Sequence, residues 1–132
     1  MTDPIGAPPP SPLVLVVEDE DNIAAALAYV ITRAGYGYER IATGATALDE
    51  IRGRRPSVVL LDIMLPDVSG YDICANVRKD HSLEAVKIIM MTARGSSHQR
   101  SKCIGLGANA FIEKPFDLTA LRQELKRQIE PV

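Results

Sequence analysis

The sequence predicts an α/β protein with a doubly wound, five-stranded parallel sheet and helices on both faces. Short apolar runs alternate with segments of helical periodicity, as in successive βαβ units. The run at 58–62 holds four consecutive apolar residues, which indicates a strand buried on both faces. Polar residues collect where the predicted strands end, and open parallel sheets bind their ligands at that edge.

Each element follows from its own stretch of sequence. Residues 1–12 are rich in proline and lack periodicity, so we expect a flexible tail before one domain at 13–130. Strands are expected at 13–17, 36–42, 58–62, 87–92 and 110–113, with the irregular second strand near an edge. Apolar residues at helical spacing predict helices at about 23–34, 47–53, 70–79, 96–106 and 118–129.

Helix ends are marked by residues with capping chemistry. Ser96 and Gln99 have the spacing of a capping box ahead of the fourth helix. Asp117 is a candidate cap for the last helix, and Gly35 and Gly107 are expected to end the first and fourth.

Composition is that of a globular domain. The 132 residues are 46% hydrophobic and 24% charged, with a net charge of −2, so we expect no direct nucleic-acid binding. No apolar run approaches the ~20 residues of a membrane span, and no secretory signal is present. We therefore expect a cytoplasmic protein without membrane contact, in which Cys74 and Cys103 are free thiols.

Polar side chains follow four of the predicted strands. Glu18-Asp19 follow the first strand, Asp62 ends the third, Thr92 ends the fourth and Lys114 follows the fifth. If the first and third strands are neighbours, three carboxylates meet, and two of them ~4 Å apart repel by about 4 kcal/mol at an effective dielectric of about 20. Such a cluster requires a proton or a cation, and hard carboxylate oxygens suit Mg²⁺.

This combination of groups indicates phosphoryl transfer. Catalysis of that reaction consists largely of positioning and of neutralising charge on the phosphoryl oxygens. Asp62 is a candidate nucleophile because an aspartate can itself accept a phosphoryl group. Lys114 supplies a positive charge and Thr92 a hydroxyl donor.

At these residues the sequence resembles the receiver domain of bacterial two-component response regulators. The resemblance covers about residues 13–130 and rests on four motifs. They are Glu18-Asp19, Asp62 with Met64-Leu65-Pro66 and Gly70, Thr92-Ala93, and Lys114-Pro115-Phe116. The resemblance implies the flavodoxin-like strand order 2-1-3-4-5, which the residues alone do not establish.

The resemblance also implies a phosphoacceptor and a metal site. Asp62 resembles the residue that takes a phosphoryl group from a sensor histidine kinase or a phosphotransfer protein. Asp19, Asp62 and the backbone carbonyl of Met64 resemble the direct Mg²⁺ ligands. Glu18 resembles the acid that holds the metal through water, although many family members have Asp there.

Further roles concern the phosphoryl group and the response to it. Lys114 is expected to contact the phosphoryl oxygens, and Lys114-Pro115 to form a cis peptide bond, since cis bonds occur almost only before proline. Thr92 resembles the hydroxyl that moves to the phosphoryl group, and Phe111 the aromatic switch residue of the fifth strand. A downstream protein is expected to bind the face of helix 4, strand 5 and helix 5.

Two side chains are expected to tune dephosphorylation. Met64 offers an attacking water only a weak acceptor, and Arg94 is a permanent cation that cannot act as a base. Both are therefore expected to slow hydrolysis of the acyl phosphate.

The predicted function is a phosphorylation-activated switch that catalyses only its own phosphorylation and slow autodephosphorylation. Two alternatives remain open: a small phosphatase or hydrolase with an Asp nucleophile, and a flavin-binding electron carrier. The first needs a general acid where this chain has Met64, and the second a phosphate-binding loop where it has Glu18-Asp19-Glu20-Asp21. The end of the last helix at Glu130 without a linker favours a complete chain with no output domain.

Overall fold

A computed structural model describes residues 12–93 and 96–130, and it confirms the predicted fold class. Within these residues, five parallel strands alternate with five α-helices. The strands are β1 (Leu13–Val17), β2 (Gly37–Ile41), β3 (Val58–Asp62), β4 (Lys87–Thr92) and β5 (Ala110–Glu113). The helices are α1 (Asp21–Arg33), α2 (Ala47–Arg54), α3 (Gly70–Lys79), α4 (Ser97–Gly105) and α5 (Leu118–Ile129), with a 3₁₀ helix at His81–Leu83.

The sheet order is β2-β1-β3-β4-β5, so β2 lies at an edge as expected. Successive strands run outward from β1 in both directions, and the order reverses between β1 and β3. Open α/β sheets form their ligand crevice at such a reversal. The pairing of Val17 with Leu61 brings the residues after β1 beside the end of β3.

The core forms two layers because successive strand residues point to opposite faces. One layer contains Leu15, Val17, Val59 and Leu61, packed against α2, α3 and α4. The other contains Val14, Val16, Val58 and Leu60, packed against α1 and α5. The central strands are thus buried on both faces.

Most of the helix-end predictions agree with the structure. Asp117 Oδ1 accepts the Thr119 N–H at 2.8 Å, and Gly35 and Gly107 have positive φ angles of 88° and 105°. Only one of the two hydrogen bonds of the predicted capping box is present among the described residues. Ser96 Oγ accepts the Gln99 N–H at 3.1 Å, but the Gln99 side-chain oxygen is buried without a hydrogen-bond partner among the described residues.

Two further predictions, the flexible tail and the lack of a membrane span, can be compared only with the described residues. The proline-rich tail at 1–12 lies outside the described residues except for Pro12. In the described part of the chain, every helix is too short or too polar to cross a membrane.

Candidate functional site

Three carboxylates meet beyond the ends of β1 and β3. One oxygen from each of Glu18, Asp19 and Asp62 lies within 4.8 Å of the other two. Glu18 is 0% exposed and Asp62 is 3% exposed, whereas Asp19 is open to solvent. The sequence predicted this cluster on the condition that β1 and β3 are neighbours, and the register of these strands satisfies it.

Backbone groups hold the two buried carboxylates in place. Glu18 donates its N–H to the carbonyl of Ile41 at 3.1 Å, and its Oε2 accepts the Glu20 N–H at 3.1 Å. Asp62 Oδ1 accepts the N–H of Met64 at 3.2 Å. These hydrogen bonds orient each of the two carboxylates at the sheet edge.

Lys114 is the cation in contact with these carboxylates in the described structure. Its Nζ lies 2.6 Å from Glu18 Oε1 and 3.4 Å from Asp62 Oδ2. Burial opposes the charged ammonium, but the contacts with Glu18 and Asp62 outweigh burial and raise the pKa of Lys114. Burial raises the pKa of Glu18, while the hydrogen bond from Lys114 opposes that rise.

The backbone around Lys114 ties the ends of β4 and β5 together. Its N–H donates to the carbonyl of Thr92 at 2.7 Å, and the Lys114–Pro115 peptide bond is cis. The Lys114 side chain is directed back across the sheet edge toward Glu18 and Asp62.

The loop after Asp62 is packed too closely to admit a side chain at Gly70. A Cβ atom there would overlap the carbonyl oxygen of Asp62 and lie 2.7 Å from Ile63 Cα. Both of those atoms belong to the backbone, so neither can move away cheaply. Gly70 therefore lets α3 begin directly against the end of β3.

Asp67 fixes the same loop to the neighbouring β2–α2 loop, and sequence reasoning did not assign it a role. Its two carboxylate oxygens accept the N–H groups of Gly44 and Ala45, each at 2.9 Å. These bonds lower the pKa of Asp67, with the bond from Gly44 as the largest cause. An acidic residue in a turn was the available signal, but its partners are distant in sequence.

The two predicted switch residues lie on adjacent strands. Thr92 ends β4 and is 1% exposed, and Phe111 lies on β5 and is 7% exposed. Phe111 pairs in register with Met90, two residues before Thr92. The Arg100 guanidinium of α4 covers the Phe111 ring at 5.0 Å from its centroid, so α4 contacts the aromatic side chain directly.

A cavity of about 540 Å³ opens beside the carboxylates and gives access to Asp62 and Lys114. Met64, 72% exposed, contributes to its wall. The remaining wall is largely apolar and includes Ile23, Ala26, Pro115, Phe116 and Leu118. Arg94, the second predicted tuning residue, lies outside the described residues.

Arg40 also contacts this site, and sequence reasoning missed it. It lies on β2, and its Nε donates to the Glu18 carbonyl at 3.0 Å while its Nη1 pairs with Asp21 Oδ1 at 2.8 Å. An arginine on a strand beside an acidic loop was the only signal in the sequence.

The donor set fits Mg²⁺. Among the described residues, three carboxylates face one lysine, so the carboxylates outnumber the cations that contact them. Asp19 is exposed, and the cavity beside Asp62 admits the waters that Mg²⁺ usually keeps.

The chain is similar to known receiver domains in both sequence and structure. A model of the response regulator receiver domain matches residues 14–126. The phosphate regulon transcriptional regulatory protein PhoB of Rhizobium meliloti is 34% identical over 118 residues, which are 89% of this chain and 52% of that protein. The chain spans about half the length of the curated relatives it matches.

Two solved structures extend the comparison. The chemotaxis response regulator CheY4 of Vibrio cholerae has a TM-score of 0.83 and 27% identity, covering 89% of this chain and 98% of that chain. The receiver domain of the sensor histidine kinase PA1611 from Pseudomonas aeruginosa PAO1 has a TM-score of 0.82 and 28% identity, covering 90% of this chain and 98% of that chain. The PA1611 structure holds a magnesium ion coordinated in its active site cleft.

Proposed function

Because the chain belongs to the response regulator receiver domain family, we propose that it is a phosphorylation-activated signalling switch. Asp62 accepts a phosphoryl group from a phosphohistidine on a sensor histidine kinase or a phosphotransfer protein. The observation that carries this proposal is the convergence of buried Asp62 with Glu18, Asp19 and Lys114 at one edge of the sheet.

In the transfer step, a carboxylate oxygen of Asp62 attacks phosphorus in line with the bond to the histidine nitrogen. The new O–P bond forms as the N–P bond breaks. The electron pair of the broken N–P bond stays on the imidazole nitrogen of the histidine. Lys114 lies 3.4 Å from Asp62 Oδ2, close enough to contact the incoming phosphoryl oxygens. Apolar walls at Ile23 and Phe116 restrict water on one side of the cavity.

The metal site uses residues that already surround Asp62. Asp19, Asp62 and the carbonyl of Met64 would hold Mg²⁺ directly, and Glu18 would hold it through water. When bound, the ion supplies positive charge to the phosphoryl oxygens during transfer.

The switch step changes the face of α4, β5 and α5. Thr92 and Lys114 make contacts to the phosphoryl group that the unmodified protein lacks, and only such differential contacts shift a conformational equilibrium. Phe111 turns further inward as Thr92 moves, which carries the change to α4 through Arg100. A downstream protein binds this face.

The catalytic activity of the chain is limited to its own phosphoryl group. The chain catalyses only its own phosphorylation and slow autodephosphorylation, and the exchange with the kinase takes place in the cytoplasm. Family membership favours this function over the phosphatase and the flavin carrier. Met64, two residues after Asp62, also lacks the acid that the phosphatase needs.

Beryllofluoride, a tetrahedral phosphoryl mimic, tests the proposal. In the presence of Mg²⁺ it should raise the melting temperature of the wild-type protein, because it binds the native state only. The gain should disappear in Asp62→Ala and persist in Asp49→Ala, a matched change at an exposed position of α2. An equal gain in wild type and Asp62→Ala, or no gain in wild type, would contradict the assignment.

A further inference from the structure

We propose that Arg40 is a positioning residue that sets the geometry of the metal site from the neighbouring edge strand. This inference rests on the proposed function, because it concerns the same Mg²⁺ site. Arg40 does not belong to the cluster itself. It acts on the loop between β1 and α1, which carries Glu18 and Asp19.

Arg40 makes two hydrogen bonds to this loop. Its Nε donates to the backbone carbonyl of Glu18 at 3.0 Å, and its Nη1 contacts Asp21 Oδ1 at 2.8 Å. The guanidinium is planar and rigid, so two of its donors define a fixed orientation. The two contacts therefore fix where the loop leaves β1 and where α1 begins.

Residues of β2 bind both the N–H and the carbonyl group of Glu18. The N–H of Glu18 donates to the carbonyl of Ile41 at 3.1 Å, and its carbonyl accepts from Arg40. The carbonyl of Glu18 belongs to the peptide plane that leads into Asp19. Its orientation therefore helps to set the position of the Asp19 backbone, from which the exposed carboxylate projects.

Stability alone gives a poor account of Arg40. Its Nη2 is buried without a hydrogen-bond partner among the described residues, so this nitrogen adds no protein hydrogen bond to the stability of the fold. The Asp21 side chain is 90% exposed, so this ion pair is screened by water and contributes little. The contact that remains is the hydrogen bond from Nε to the Glu18 carbonyl, which holds the loop against β2.

Charge and geometry make opposite predictions for this residue. Arg40 adds positive charge near a cation site, so by electrostatics alone its removal should tighten the binding of any divalent cation. If Arg40 positions the loop, its removal should weaken Mg²⁺ binding. Mg²⁺ demands near-ideal octahedral geometry, whereas Ca²⁺ tolerates irregular and larger sites.

The ratio of Mg²⁺ to Ca²⁺ affinity therefore isolates geometry, since both ions carry the same charge. We would titrate the full chain with each ion by calorimetry, using wild type, Arg40→Gln and Arg40→Lys. Arg54→Gln is the control, because Arg54 is an exposed arginine that pairs with Glu39 and Glu50. Melting temperatures without metal show whether each variant is folded.

We expect Arg40→Gln to lower Mg²⁺ affinity by roughly two- to tenfold, the effect of losing one hydrogen bond, with a smaller change for Ca²⁺. Arg40→Lys should also lower the ratio, although it keeps the charge, and it serves as the deciding variant if Arg40→Gln is unfolded. Arg54→Gln should leave the ratio unchanged.

Two outcomes would overturn the inference in different ways. Unchanged or tighter Mg²⁺ binding in Arg40→Gln and Arg40→Lys, with the ratio intact, would refute the positioning role and leave the proposed function standing. Absence of Mg²⁺ binding in the wild type would refute the proposed metal site and this inference with it.

Discussion

Replacement of Lys114 by Met removes the cation that contacts both buried carboxylates. Met keeps the length and apolar stem of lysine, so the change is mainly the loss of charge. In the metal-free protein, Glu18 and Asp62 then lack their common partner, and we expect a clear loss of stability. Mg²⁺ should restore much of that loss, because a divalent cation can neutralise the same carboxylates.

The magnitude follows from the geometry. At an effective dielectric of about 20, the Nζ–oxygen distances of 2.6 and 3.4 Å correspond to about 6 and 5 kcal/mol of attraction. Desolvation of the ions offsets much of this, and breaking a buried pair typically costs about 3–5 kcal/mol. Because the site opens into a cavity of about 540 Å³, we expect the lower end, about 3 kcal/mol.

For a domain of this size, that loss corresponds to a fall of about 10 °C in melting temperature. The assay is thermal unfolding followed by circular dichroism, with and without Mg²⁺. The control is Lys126→Met, at an exposed position of α5. A Lys114→Met protein that melts within about 2 °C of this control without metal would refute the reasoning, as would a smaller Mg²⁺ gain than that of wild type.

Three further predictions concern the same region. Asp19→Asn should raise metal-free stability by about 1 kcal/mol through relief of repulsion, yet lose most of the stabilisation by Mg²⁺, as measured by paired thermal melts. Gly70→Ala should destabilise by about 3 kcal/mol in urea unfolding, because its Cβ would meet backbone atoms. Its control is Gly53→Ala on α2, which has open space around the new atom and should be neutral or slightly stabilising. Finally, Met64→Asn combined with Arg94→Glu should speed decay of the acyl phosphate, because these groups can orient water. Equal or slower decay would remove both residues from that role.

The sequence predicted the three central strands well because β1, β3 and β4 are almost entirely buried. The run from Val58 to Leu61 is apolar throughout, as a strand covered on both faces must be. The strand order could not be obtained in the same way. Right-handed crossovers permit several orders for five parallel strands, and only the resemblance to receiver domains selected 2-1-3-4-5.

The sequence indicated which residues lie at the candidate site. It did not indicate which of their side chains contact one another. Asp62 and Lys114 stand at strand ends, and the parallel sheet brings such ends to one edge. The ion pair of Lys114 with Glu18 depends on how far two long side chains reach, which no sequence spacing encodes. Arg40 was missed for the same reason, because its partners lie 19 and 22 residues away along the chain.

Chemical mapping of the acyl phosphate tests the central claim most directly. The wild-type protein is incubated with Mg²⁺ and a small acyl phosphate donor, then reduced with borohydride, which converts a phosphorylated aspartate to homoserine. Peptide mass spectrometry should locate homoserine at Asp62, and the modification should be absent in Asp62→Ala or without Mg²⁺. Homoserine at another position, formed in Asp62→Ala at the wild-type rate, would contradict the account.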